Sequence, residues 1–319
     1  MKKFNLTLAT LILIVVFSSC KKDKKPNNNK AQNAKEFSAT FGSQKQSFSL
    51  NTSELPKTIT MANGSKITFK PGCFTVNGSP ASGAVTVESY EMLNRSSIIF
   101  SGTNTNHISG QPLISQGFIN IKVKVNGVAV DDDLAIPMTV SIPAKGKDFT
   151  QIWAGVEKVG DVNQMAWQAP KVGPNGQNQR ETKAVNDNFV FDFGQLGWIN
   201  CDTYYRFTDP KTTVGVTVLN NPGEMASFRG FTGDTYVYFC ANGDNVVAQL
   251  YSPNGPNSVK SYDNSMPIGA TGTLFSLSIK DGKYYFAKKM ITITANLNET
   301  LSLTESTEAA VQAEINALN

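Results

Sequence analysis

Histidine is almost absent from this chain of 319 residues, since His107 is the only one. A nucleophilic triad needs a base that lies beside a serine or cysteine and is oriented by a carboxylate. No serine of the chain stands in a G-x-S-x-G elbow. His107 itself ends the polar stretch 102–107, which is typical of a solvated loop. The sequence therefore predicts no catalytic residues and no enzyme.

Motifs for metals and nucleotides are missing as well. The four cysteines form no C-x-x-C pair and no Cys/His zinc spacing, and no glycine-rich phosphate loop is present. The run Asp131, Asp132 and Asp133 lacks the spacing of a calcium loop. Consecutive side chains of an extended stretch also point in opposite directions. We interpret the run as a solvated loop and expect no metal and no cofactor.

Charged residues are scarce too, at 17% against a usual value of about 25%. The formal net charge of +4 comes from the first 36 residues, which hold eight lysines but only Asp23 and Glu36 as acids. Removing these from the totals of 29 and 25 leaves 21 basic and 23 acidic residues, a net charge of −2 for 37–319. A nearly neutral body argues against a nucleic-acid partner.

The chain also lacks a long apolar run. Its best candidate, residues 6–17, has 12 residues, whereas a spanning helix needs about 20. This run follows Lys2 and Lys3 and precedes Ser18 and Ser19. A positive start, a short apolar core and small residues indicate a secretory signal, which we place at residues 1–19.

The cysteine directly after these small residues makes the segment resemble a bacterial lipoprotein signal. The resemblance implies cleavage before Cys20 and acylation, with a fatty chain such as palmitate, of its sulfur and new amino group. Residues 20–36 would then be the lipidated cysteine and a flexible Lys/Asn tether. The membrane would be a partner through this lipid, in the cell envelope. The charged residues after Cys20 are similar to surface-export signals of Bacteroidetes lipoproteins, which implies the outer membrane and leaves its two faces open.

The body of the chain has the alternation of half-buried antiparallel strands. Its clearest case is 119–125, where apolar residues alternate with Asn120, Lys122 and Lys124 before an Asn126-Gly127 turn. Three hundred residues exceed a single core, so we predict an all-β fold of two antiparallel β-sandwich domains. They would occupy 37–169 and 188–300 and be joined by 170–187, a linker or surface loop rich in Pro, Gly and Asn.

Only residues 301–319 have a helical pattern. Ser302 and Glu305 have the spacing of a capping box, and Val311, Ile315 and Leu318 form one apolar stripe. We therefore predict a short C-terminal α-helix that packs on the last sheet.

Two motifs resemble ZU5-like β-domains: I-T-F-K-P-G-C-F at 67–74, and G-A-V-T-V-E at 83–88 followed by G-F-I-N-I at 117–121. Together with the lysine-rich leader and W-I-N-C-D at 198–202, the chain resembles uncharacterised Bacteroidetes-type lipoproteins. The likeness implies that the sandwich at 37–169 is ZU5-like. Such domains are interaction and structural modules without catalytic residues, so no site residue follows from it.

Three cysteines remain once Cys20 is assigned to lipid. Either Cys201 and Cys240 form a disulfide and Cys73 is a buried thiol, or all three are unpaired and pack as small apolar residues. The sequence leaves both alternatives open.

The sequence thus predicts a lipid-anchored cell-envelope protein of non-catalytic interaction or structural type, with another envelope protein as its partner. The alternative is a glycan-binding accessory lipoprotein. It would use aromatic faces, with Trp153, Trp167 and Trp198 as the ligand-facing residues, although aromatic rings in β-sandwiches are more often buried.

Overall fold

The computed structural model describes residues 30–158, 161–171, 178–226 and 233–319. The predicted signal peptide and Cys20 lie outside the described residues. Residues Ala31–Asn319 form one compact unit. This unit is all-β, with several antiparallel sheets and a short C-terminal helix, as the alternation predicted.

The first fourteen strands belong to the N-terminal two thirds of the chain. They are β1 Gln46–Asn51, β2 Lys57–Thr60, β3 Lys66–Phe69, β4 Thr75–Val76, β5 Ser79–Pro80, β6 Ala84–Met92, β7 Leu113–Val125, β8 Val128–Ala129, β9 Asp133–Pro143, β10 Phe149–Lys158, β11 Asp161–Gln168, β12 Glu181–Val185, β13 Asn188–Gln195 and β14 Gly197–Tyr204.

The remaining strands and the helices complete the unit. The strands are β15 Lys211–Thr212, β16 Gly215–Leu219, β17 Thr235–Ala241, β18 Ala248–Leu250, β19 Ser252–Pro253, β20 Ser258–Lys260, β21 Met266–Pro267, β22 Thr271–Lys280, β23 Lys283–Thr292, β24 Asn298–Ser302 and β25 Thr304–Ser306. The helices are α1 Ala34–Phe41, a 3-10 turn Thr52–Glu54, α2 Arg95–Phe100 and α3 Glu308–Asn316.

One sheet path, β1-β6-β7-β14-β10-β12-β13-β9-β3-β2, surrounds the first core. Ile119, Ile121 and Val123 of β7 enter this core, while Lys122 and Lys124 are exposed on the opposite face, which we call the outer face. The predicted alternation of this strand is therefore confirmed. The turn that follows is confirmed as well, because Asn126 and Gly127 both have positive φ and Val125 pairs with Val128.

Two further sheets, β18-β17-β22-β23-β25 and β19-β20-β16-β24, enclose the last core. Its centre holds Val216, Phe239 and Leu274, and each of these side chains is almost completely buried. A tight hairpin at Asp281-Gly282 joins β22 to β23, with both turn residues at positive φ.

The sheet pairing places the boundary between the two halves later than residue 188. Strands β12, β13 and β14 all pair with strands of the first sheet path, so residues 181–204 belong to it. Phe189, Phe191 and Phe193 of β13 alternate into the first core, which explains this pairing. The predicted linker 170–187 therefore contains a strand, and the predicted second sandwich begins inside the first sheet.

Residues 102–107 differ from the solvated loop that their composition predicted. Thr105 N–H donates to the Val247 carbonyl at 2.8 Å, and the Asn106 side chain accepts from Gln249 N–H at 2.9 Å. On its other side, the Asn106 carbonyl accepts from Trp167 N–H at 3.1 Å. Thr103 to Asn106 are buried because this segment fills the gap between β11 and β18 and takes the place of a strand.

Helices α1 and α2 lie in segments where the sequence pattern did not indicate a helix. Helix α1, with Asn33 as its N-cap, begins inside the predicted tether 20–36, because Phe37 packs on Tyr284 and Phe100. Residues 98–100, two isoleucines and a phenylalanine, are residue types that favour strands, yet they lie in α2. The reciprocal capping box between Asn94 and Ser97 outweighs the strand preference of the two isoleucines.

The C-terminal helix exists, but its predicted cap was wrong. Thr307 is the N-cap and accepts from Ala310 N–H at 3.1 Å, while Ser302 and Glu305 lie in strands β24 and β25. The predicted stripe is confirmed, since Val311 and Ile315 are fully buried and Leu318 is nearly so.

Arg95 connects three parts of this unit. Its guanidinium donates to the Leu318 carbonyl at 2.7 Å, to the Asp244 carbonyl at 3.0 Å, and also to the Ala241 carbonyl. Next to it, Ser96 N–H donates to the Asn319 side chain at 2.9 Å. The end of α3, the end of β17 and the start of α2 are therefore held by one side chain.

We expect Arg95→Ala to destabilise the protein by about 2–4 kcal/mol, because several carbonyl groups lose a charged donor in a partly buried site. Urea unfolding followed by tryptophan fluorescence would measure the change. Arg180→Ala removes the same charge from an exposed position and is the control. Equal free energies of unfolding for the two variants would contradict this role.

Candidate functional site

The three tryptophans do not present their faces to solvent. Trp167 is fully buried, and Trp153 and Trp198 are 6% and 4% exposed. All three belong to a middle core between the two halves, where Phe118 packs on Trp167 and Trp198 at centroid distances of 4.8 and 5.9 Å. The interpretation of these rings as ligand-facing platforms is therefore wrong. Only Trp198 also borders a cleft, described below.

The W-I-N-C-D motif has a structural explanation. Ile199 and Cys201 enter the first core, and the alternate residues Trp198, Asn200 and Asp202 lie on the outer face of β14. Asn200 bridges two strands there. Its amide accepts from the Ser115 hydroxyl at 3.1 Å and donates to the Asp202 carboxyl at 2.6 Å.

Asp202 is the acidic residue of this cluster, and the pKa of its carboxyl group is shifted. It is fully buried, and no lysine or arginine in the described part of the chain forms an ion pair with it. Burial raises the pKa of this carboxyl well above its usual range, and the hydrogen bonds from Ser115 and Asn200 only partly oppose the shift. The buried surroundings therefore disfavour the ionised form of Asp202.

The cysteines at 73, 201 and 240 are all free and buried. Cys73 and Cys201 lie in the first core and Cys240 in the middle core, so the disulfide considered between Cys201 and Cys240 does not form. Burial raises the thiol pKa of Cys73 to about 11 and that of Cys240 to about 12. The alternative of three unpaired thiols packed as apolar residues is the one observed.

His107 lies in a cluster of rings at the surface. Its ring centroid is 5.1 Å from that of Trp153 and 5.2 Å from that of Tyr204, which in turn lies 4.9 Å from Phe207. Nδ1 of His107 shares a hydrogen bond of 2.8 Å with the Ser109 hydroxyl, and partial burial lowers the pKa of the imidazole.

We call the residues Ile108, His107, Tyr204 and Phe207 the aromatic patch. Phe207 is 59% exposed and Ile108 is 46% exposed, whereas Tyr204 and His107 are half-buried beneath them. Arg206 and Asp209 form an ion pair beside Phe207 and give the patch a charged rim. The patch is thus a small apolar surface on a buried aromatic base.

The three residues of the acidic run, Asp131 to Asp133, differ in their surroundings. Asp131 accepts from the N–H groups of Asn77 and Gly78, each at 2.9 Å, and so caps the turn between β4 and β5. Hydrogen bonds from the Thr75 side chain and from Gly78 lower the pKa of Asp131. Asp132 and Asp133 are exposed, as predicted for the whole run.

A cleft of about 710 Å³ opens on the outer face of β7. Lys122 and Lys124 belong to its lining, together with Asp132, Asp133 and Trp198. Sequence reasoning placed both lysines on a wet face but found no cleft, because Trp198, which also lines it, lies more than 70 positions away in the chain.

The lining of the cleft holds three lysines and three acids. Its third acid, Glu88, is already paired with Lys45 at 2.8 Å, and the hydrogen bond from Lys45 lowers the pKa of Glu88. No carboxylate of the described residues lies within 4.0 Å of the Lys122 or Lys124 ammonium group. The two lysines are therefore available to an anionic group.

Among the residues that the structure describes, no three His, Cys, Asp or Glu side chains gather as a metal site. None of the described helices has the length and hydropathy needed to cross a bilayer. Searches against protein families, curated proteins and solved structures gave no match.

We expect Asp202→Asn to stabilise the protein increasingly as the pH rises from 4 to 8. Below the unfolded pKa, near 3.9, both states are protonated and the acid costs nothing. Above it only the unfolded state ionises, and the wild type loses about 1.4 kcal/mol for each pH unit until the folded pKa is reached. Asparagine cannot ionise and avoids this loss.

Melting temperatures of both proteins across this pH range would check the prediction. The exposed Asp148→Asn is the control and should give a nearly constant difference from the wild type. A difference for Asp202→Asn that does not grow with pH would show that the folded carboxyl ionises normally.

Proposed function

We propose that this chain is a lipid-anchored protein of the bacterial cell envelope, a binding module without catalysis whose partner is another envelope protein. The anchoring rests on the leader, where Cys20 follows a positive start, an apolar run and two serines. We place the tether between Cys20 and Ala31, which is the first buried residue of the described part of the chain. Ten extended residues reach about 35 Å at most.

The aromatic patch is the observation that supports a protein partner. Exposed aromatic and aliphatic side chains that adjoin one another and have a polar rim are typical of protein interaction sites. Here Phe207 packs on Tyr204, Ile108 follows His107 in the chain, and both Tyr204 and His107 pack on the buried ring of Trp153. A preformed surface of this kind loses little conformational entropy on binding.

The groups that could take part in chemistry have structural contacts instead. The three thiols pack in cores, Asp202 is buried within a hydrogen-bonded cluster, and His107 packs between two rings. These contacts favour a body that presents a fixed surface. Glycan binding through tryptophan faces loses its support, because those faces pack in the middle core.

For the anchor, we expect Cys20→Ala to release the protein from membranes into the soluble fraction, because the modified cysteine is the proposed attachment point. Fractionation and immunoblotting would measure this. The control is the wild type washed with 1 M salt, on the order of the ionic strength that removes proteins held only by charge. Retention of Cys20→Ala in the membrane pellet would contradict lipid anchoring.

For the patch, we expect Phe207→Ser and Ile108→Ser to reduce in-cell crosslinking to a defined partner by about tenfold, as for central interface residues. Both side chains are largely exposed, so the melting temperature should change little. Val185→Ser, at a position 60% exposed on β12, is the matched control. Equal crosslinking by all three variants would exclude the patch as the binding surface.

A further inference from the structure

We propose that the cleft on the outer face of β7 binds an anionic saccharide, a sugar chain that carries carboxylates. Lys122 and Lys124 would pair with the carboxylates, and Asn120 and Trp198 would hydrogen-bond to hydroxyl groups. This site shares no residue with the aromatic patch, so the inference does not depend on the proposed protein partner.

The first observation is a set of unpartnered polar atoms in the interior. Asn120 is 1% exposed, and neither its Nδ2 nor its Oδ1 has a hydrogen-bond partner. Trp198 Nε1, in a side chain 4% exposed, has none either. An unpaired buried polar group costs about 1–3 kcal/mol, so a folded protein that keeps three such atoms together calls for an explanation.

These atoms adjoin the cleft through Trp198, and Asn120 lies directly beside that residue on the neighbouring strand. Lys124, Lys122 and Asn120 follow one another along the outer face of β7, and Asn120 is the direct cross-strand neighbour of Trp198. Trp198 itself lines the cleft. Tyr90 stacks on Trp198 at a centroid distance of 6.5 Å and is the neighbour of Asn120 on β6. The polar row therefore runs from the exposed lysines to the buried amide.

Three lysines, Lys122, Lys124 and Lys171, line the cleft, and because Glu88 is paired with Lys45 they face two unpaired acids, which favours an anion that also carries hydroxyl groups. The ammonium groups of Lys122 and Lys124 have no carboxylate partner in the described part of the chain, and they stand two residues apart on one face, about 7 Å along the strand. The two acids of the lining would repel a densely charged polyanion but accept hydrogen bonds from hydroxyl groups. Asn120 can both donate and accept, as a sugar hydroxyl requires.

The test is titration of the purified full chain, in detergent, with tetragalacturonate and with neutral maltotetraose, followed by calorimetry. We expect binding of the charged oligosaccharide only, and its affinity should fall as salt is added. Lys122→Gln with Lys124→Gln should weaken it at least tenfold. Lys66→Gln with Lys183→Gln, an equal loss of charge on exposed strands elsewhere, should leave it unchanged.

A second variant tests the buried end. Asn120→Leu removes the unpaired amide, so we expect a higher melting temperature together with weaker binding of tetragalacturonate. A merely structural asparagine would change stability and leave the affinity as it was, which would overturn its assignment to the site.

Three other outcomes would overturn the proposal. They are equal affinity for the charged and neutral sugars, no binding of tetragalacturonate at millimolar concentration, and tighter binding of a tetraglutamate peptide, which would identify an acidic peptide as the ligand. Membrane release of Cys20→Ala and the crosslinking at Phe207 are measured separately, so failure here leaves the proposed function untouched.

Discussion

The architecture depends on the hydrogen bonding of one short polar segment, residues 103–107. Backbone polar groups that leave water must find partners, and here they find them on two different sheets. Thr105 and Asn106 bond to the strand edge at Val247 and Gln249, and Asn106 also bonds to Trp167 of β11. The two halves cannot separate without exposing these bonds and the tryptophans of the middle core. The rigidity of the aromatic patch, which begins at His107, follows from the same contacts.

Local patterns in the sequence were sufficient where the fold is local. The alternation at 119–125, the Asn126-Gly127 and Asp281-Gly282 turns and the stripe through Val311 and Ile315 all agree with the structure. Long-range pairing was not readable. Nothing near residue 188 indicates that β13 returns to β9, or that a loop of Thr and Asn lies between two sheets. In both cases the partner lies many residues away, and it decides which surface is buried.

The same limit applies to the candidate site. Alternation correctly placed Asn120, Lys122 and Lys124 on one face of β7, but it could not show that this face is wet at one end and covered at the other. The cover consists of Tyr90 and Trp198 from neighbouring strands. The expectation that the tryptophans face a ligand was wrong for the same reason. Trp198, on the outer face of β14, packs in the middle core instead of facing solvent. Composition identified the residues, and only the topology showed their surroundings.

The contacts of α3 have a consequence for how the chain matures. Val311 and Ile315 fill the middle core beside Phe37 of α1, Tyr284 bonds to both Glu308 and the Ala31 carbonyl, and Arg95 grips the Leu318 carbonyl. Domains usually begin to fold from the N-terminus during synthesis. Here α1 shares the middle core with α3, which is synthesised last. The middle core of a nascent polypeptide is therefore incomplete until residues 308–318 have been made.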